Sequence, residues 1–218
     1  MPQIIQTIQK HPLQNRVDPF GELIRTKARG AWMGNRGLIH NENQAIVRPF
    51  RLKAWITCVL QFKNRHRSVM TPGLYTELFF LDEATSFSAG HRPCAECRRA
   101  DFNRFKAAWV QGNPLYMYNM KTPIGEIDEI LQEERIGLTC SKPTYKEKLG
   151  DLPEGSFIEY NGKPYLVKQS QSATSWTPFG YTDALELPRQ TEVDVLTPKT
   201  IVNTLRSGYI PQIHESVL

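Results

Sequence analysis

Apolar residues along this chain gather in short blocks, and their spacing changes character near residue 142. Ala54–Phe62 is dense in β-branched and aromatic residues and predicts a largely buried strand with Cys58 inside it. Tyr75–Leu81 predicts a second strand. Asp82 can cap a short helix that starts at Glu83 and stops at Gly90, a residue suited to ending helices. From Pro93 a longer helix is predicted, because proline suits a first helical turn and Phe102, Phe105 and Trp109 recur at spacings of three and four. Gly112-Asn113-Pro114 ends it. A third helix begins at Thr122-Pro123 and carries the apolar stripe Ile124, Ile127, Ile130 and Leu131.

Beyond the basic link 142–148 the pattern turns to β. Phe157–Tyr160 and Lys163–Val167 flank Asn161-Gly162, the strongest short hairpin signal a sequence offers. Val193–Leu196 predicts a further strand, and Thr197-Pro198 opens a helix that Ser207-Gly208 closes. Residues 1–30 are polar, interrupted by Pro12 and Pro19, and show no sustained period, so an extended arm is expected there. Its Arg25, Lys27 and Arg29 are most simply a solvated face. The expected class is α+β: a small zinc-centred α/β module over 31–112, followed by a β-rich region over 113–218 that can share one core with it.

Composition narrows the function classes. Hydrophobic residues at 40% and charged residues at 22% are globular proportions, and no apolar run approaches a membrane span. The N-terminus lacks the basic start and apolar block of a secretory signal, which points to the cytoplasm. Four cysteines are too few for a disulfide scaffold, and two of them stand as Cys-x-x-Cys. A net charge of +5 is compatible with a polyanionic partner.

The chemistry concentrates in Gly90-His91-Arg92-Pro93-Cys94-Ala95-Glu96-Cys97-Arg98-Arg99. Two thiolates at this spacing can grip one tetrahedral zinc ion from a single turn, and a helix N-terminus with Arg92, Arg98 and Arg99 nearby favours their ionised forms. The run from Leu78 through Ala89-Gly90-His91-Arg92-Pro93-Cys94-Ala95-Glu96-Cys97 resembles the metal-binding module of the Ada methylphosphotriester DNA repair proteins, over about residues 55–109. That resemblance implies a strand, a short helix and then a zinc knuckle, in a DNA-linked protein. The Ada module also supplies an earlier Cys-x-x-x-Cys pair, and this chain has none. What is implied is therefore a metal site rather than methyl transfer.

Upstream the chain offers Cys58 as a third ligand. His40 is favoured as the fourth, because the glycine-bounded turn before it resembles the strand-ending histidine of related knuckles; His66 and His91 are the alternatives. The leading expectation is a mainly structural zinc in a nucleic-acid-associated protein, DNA favoured, with Arg92, Arg98, Arg99 and Arg104 meeting phosphates. A second expectation is a zinc-dependent base or nucleoside deaminase, which needs His-x-Glu together with Pro-Cys-x-x-Cys and finds them in His40-Asn41-Glu42 and Pro93–Cys97. A third leaves the zinc structural and places function in the aromatic run Trp176–Tyr181, as a stacking platform or pocket wall.

Overall fold

A computed structural model describes residues 11–64, 68–137, 141–169 and 172–217. The fold is α+β, with two six-stranded sheets among the described residues. The first sheet comprises β1 (Gln14–Val17), β2 (Leu23–Arg25), β3 (Trp32–Asn35), β4 (Ile56–Cys58), β5 (Leu78–Phe80) and, after helix α1 (Glu83–Ser88), the short β6 (Arg92–Pro93). Its order is β2-β1-β5-β3-β4-β6, and the β1–β5 and β4–β6 pairs are parallel. Helices α2 (Arg99–Gly112) and α3 (Ile124–Arg135) follow. The second sheet comprises β7 (Tyr145–Lys148), β8 (Phe157–Tyr160), β9 (Lys163–Gln169), β10 (Ser172–Thr177), β11 (Gly180–Glu186) and β12 (Glu192–Val195). It is antiparallel throughout, in the order β11-β10-β9-β8-β12-β7, and α4 (Lys199–Arg206) comes after it.

Local chemistry explains the elements that were expected. Asp82 caps α1, its carboxylate accepting from the Thr85 N–H at 2.8 Å. Asn161 and Gly162 both adopt positive φ, +51° and +75°, as a two-residue hairpin turn requires. Ile127 and Leu131 are fully buried on one face of α3, as their spacing predicts.

Two expectations are corrected. Within the segment expected as an extended arm, residues 14–25 are built into the first sheet: β1 pairs with β2 and β5, and Asn15, buried in β1, donates through Nδ2 to the Glu77 carbonyl at 3.2 Å. Pro93 does not open a helix: it lies in β6, a turn follows, and α2 begins only at Arg99.

The helices pack through Phe87, Phe105, Trp109, Ile127, Leu131, Ile201 and Leu205. A further cluster joins Leu81 and Ala84 to Phe157, Leu166 and Tyr181 of the second sheet and to Leu196 just past β12. Every residue of α1 is buried, so its polar groups must find partners inside the protein. They do. Asp82 accepts from Tyr181 Oη at 2.7 Å and Glu83 from Tyr209 Oη at 2.9 Å. Thr85 accepts from Trp176 Nε1 at 3.1 Å, and Ser88 donates to the Pro19 carbonyl at 2.7 Å. Among the described residues, no helix is long and apolar enough to cross a membrane.

Candidate metal centre

Strand register brings the cysteines together. β4 runs parallel to β6 with Ile56 opposite Arg92 and Thr57 opposite Pro93, so the next residues along, Cys58 at the end of β4 and Cys94 just past β6, stand side by side. The Cys94 N–H donates to the Thr57 carbonyl at 2.9 Å and holds this register to its end. A tight turn then carries the chain to Cys97; it is closed by Arg98 N–H to the Cys94 carbonyl at 3.1 Å, and Glu96 N–H approaches Cys94 Sγ at 3.4 Å. Gly90 makes the approach to this turn possible. It sits past the end of α1 at φ +82°, and a Cβ there would come within 2.6 Å of the Arg135 side chain.

The three sulfurs of Cys58, Cys94 and Cys97 lie within 4.8 Å of one another, and no disulfide joins them. Two thiolates on one tetrahedral zinc stand about 3.8 Å apart, since each Zn–S bond is about 2.3 Å, so the cluster suits a single ion. The Cys94 thiol is pulled far below its ordinary range by hydrogen bonds from Cys58 and Cys97. Cys58 is pushed far above its range because its proton is held by Cys94 and Cys97. The protons shared among the three sulfurs are what a divalent cation displaces. This three-cysteine group can hold a metal ion, and three soft thiolates favour zinc over magnesium or calcium.

At the fourth position the favoured histidine is absent from the group. His40 is not in the group: its Nδ1 lies 2.6 Å from Thr76 Oγ1 and its Nε2 3.3 Å from the Thr71 carbonyl. The Thr71 carbonyl can only accept, so Nε2 carries the proton that it takes, and the neutral ring's Nδ1 accepts from the Thr76 hydroxyl. Both ring nitrogens are engaged. His91 is also spent, fully buried with Nδ1 at 3.1 Å from the Ile56 carbonyl and Nε2 accepting from Arg36 Nε at 3.0 Å. Burial, then the charge of Arg36, lower its pKa well below the ordinary value, so it stays neutral. His66 and Cys140 lie outside the described residues. Glu42 is exposed in the turn beyond His40, so the His-x-Glu and Pro-Cys-x-x-Cys halves of a deaminase site are not brought together.

The basic residues divide. Arg92 is buried and clamped by Asp128 through bonds of 2.7 and 2.6 Å, and Arg98 is buried against Glu83 at 2.5 Å. Neither can reach a phosphate. Arg99 is exposed, and Arg104 is exposed but paired with Asp101 at 2.5 Å. The aromatic run is a brace rather than a platform: Trp176 and Tyr181 bond to Thr85 and Asp82, and Phe179 alone stands out at the hairpin tip, 69% exposed.

A feature that the sequence did not suggest lies over the cysteines. Strand alternation puts Met33 and Asn35 of β3, Ile56 and Cys58 of β4 and Phe79 of β5 on one face of the first sheet, cross-strand neighbours of one another. The opposite face, with Leu78 and Phe80, is core. The first face is a wall of a cavity of about 410 Å³, which Val59, Phe62, Val69, Tyr75, Glu77 and Glu96 help to line together with Cys94 and Cys97. The alternation of Met33-Gly34-Asn35 is its only trace in the sequence. A scan of protein-family models and searches of curated proteins and solved structures give no match to this chain.

Proposed function

We propose that this is a zinc protein in which Cys58, Cys94 and Cys97 hold one ion whose remaining coordination position faces the cavity, so that the metal receives a small ligand. The observation that carries this reading is the convergence of three sulfurs within 4.8 Å on the lining of a 410 Å³ cavity. Closed tetrahedral sites pin structure, whereas sites with three protein ligands keep a position for water or substrate. When bound, the zinc supplies a Lewis-acidic position to a donor atom in that space. The chain supplies the rest: the parallel register of β4 and β6 fixes the thiolates, and the β3–β4–β5 face excludes bulk water from one side.

Metal content of the purified protein tests this. We expect one zinc per chain in the wild type and in His40→Ala, and a loss of most zinc in Cys58→Ser. A Cys58→Ser protein that keeps a full equivalent would overturn the assignment, as would a wild type that binds none.

A further inference from the structure

The first sheet sets an apolar row beside the three cysteines. Strand register places Cys58 of β4 opposite Met33 of β3, and Met33 opposite Phe79 of β5, so these side chains line up across one face of the sheet. Strands stand about 4.8 Å apart, so the row runs about 10 Å from the cysteine to the phenylalanine. Arg16 of β1, paired with Phe79, lays its guanidinium 4.7 Å over the Phe79 ring and closes the far end. Met33 and Phe79 are half-buried and line the cavity together with Ile56 and Val59.

A bare metal ion would use the sulfurs and leave this row uncovered. A plain hydrocarbon would cover the row and ignore the sulfurs. Among the described residues no fourth donor joins Cys58, Cys94 and Cys97, although a tetrahedral ion needs one. Trivalent arsenic needs none: it makes three bonds in a pyramid and turns its lone pair away from them. With the sulfurs within 4.8 Å of one another, two or three can reach one such atom, and an organic group on it can lie along the row.

We infer that this site captures a trivalent arsenical bearing one apolar organic group, its arsenic bonded to two of the three cysteine sulfurs and its organic group lying against Met33 and Phe79. The inference rests on the cysteine assignment of the zinc reading, and not on what fills the ion's fourth position. In the exchange two As–OH bonds break and two As–S bonds form. Each thiol proton leaves on the departing hydroxide as water, and arsenic stays trivalent throughout. Where zinc already holds the sulfurs, the same exchange releases the ion, and solvent supplies the two protons.

The test uses the full chain as purified, with phenylarsonous acid and methylarsonous acid each in competition with dithiothreitol, which offers two thiols and no apolar wall. Native mass spectrometry counts bound arsenic, and a chromophoric chelator counts released zinc. We expect one arsenic per chain and loss of the zinc. Relative to dithiothreitol, the phenyl compound should be held about tenfold more tightly than the methyl one or better, as burial of its additional carbons provides. Phe79→Ala should narrow that ratio. Treating the wild-type adduct with iodoacetamide should find at least two of Cys58, Cys94 and Cys97 protected. A protein that takes up neither zinc nor an arsenical sinks the cysteine assignment itself; one that holds zinc and takes no arsenical sinks only this inference. Equal retention of the two arsenicals, or protection confined to Cys140, overturns it with the wild type alone, even if Phe79→Ala does not fold.

Discussion

At the scale of single residues, the centre depends on partners that take the neighbouring polar groups out of competition. His91 cannot ligate because Arg36 and the Ile56 carbonyl fix its tautomer, and Arg36 in turn lies 3.8 Å over the Trp55 ring. Lys142, half-buried, borders the same cationic neighbourhood: its ammonium donates to the Ser88 carbonyl, and desolvation, then the charge of Arg36, lower its pKa to about 7. Because the folded value lies below that of the unfolded chain, the unfolded state binds more protons between about pH 7 and 10.5, and stability should rise with pH across that window. We expect Lys142→Met to flatten this rise, as read from urea midpoints of the zinc-saturated protein at several pH values. An unchanged slope would show that Lys142 is not its source. None of this was legible from the sequence, where His40 was the favoured fourth ligand and His91 an alternative. Their exclusion follows from Thr76, Thr71 and Ile56, contacts that only the fold creates.

At the scale of elements, α3 is tied to the knuckle by an ion pair with little access to water. Arg92 of β6 and Asp128 of α3 bond bidentately with side chains 4% and 5% exposed. Removing one charge strands the other, so Asp128→Asn should destabilise the protein by about 3–5 kcal/mol in urea unfolding. A shift below ~1 kcal/mol would mean that the pair is as weak as a surface one. Elements set by local chemistry were legible: α3 from its apolar stripe, the β8–β9 hairpin from Asn161-Gly162, and α4 from Thr197-Pro198 to Ser207-Gly208. Those set by distant pairing were not. β1 looks polar because its buried Asn15 is satisfied by Glu77, 62 residues away, and the strand expected over 54–62 shrinks to Ile56–Cys58, the three residues that β3 pairs. Arg92 and Arg98 looked like phosphate ligands because Asp128 and Glu83 stand opposite them only after folding.

At the scale of the whole molecule, α1 is a polar hinge pin between the two sheets. Asp82 and Glu83, unremarkable as helix-start residues, collect bonds from Tyr181, His214, Tyr209, Gln212 and Arg98. Tyr181→Phe removes a hydrogen bond to a buried carboxylate and should cost about 2 kcal/mol. Because the core cluster around Phe157 and Leu81 spans both sheets, tryptophan fluorescence and far-ultraviolet circular dichroism should lose structure in one coincident transition. Two separated transitions would mean that the halves unfold independently. The central claim concerns the metal, and X-ray absorption at the zinc edge of the purified protein tests it most directly. The account predicts three sulfurs at about 2.3 Å and one nitrogen or oxygen at about 2.0 Å, the light atom remaining in both His40→Ala and His66→Ala because it comes from solvent or a ligand. A four-sulfur shell, or a light-atom shell that disappears in His66→Ala, would contradict it by showing a site closed by the protein itself.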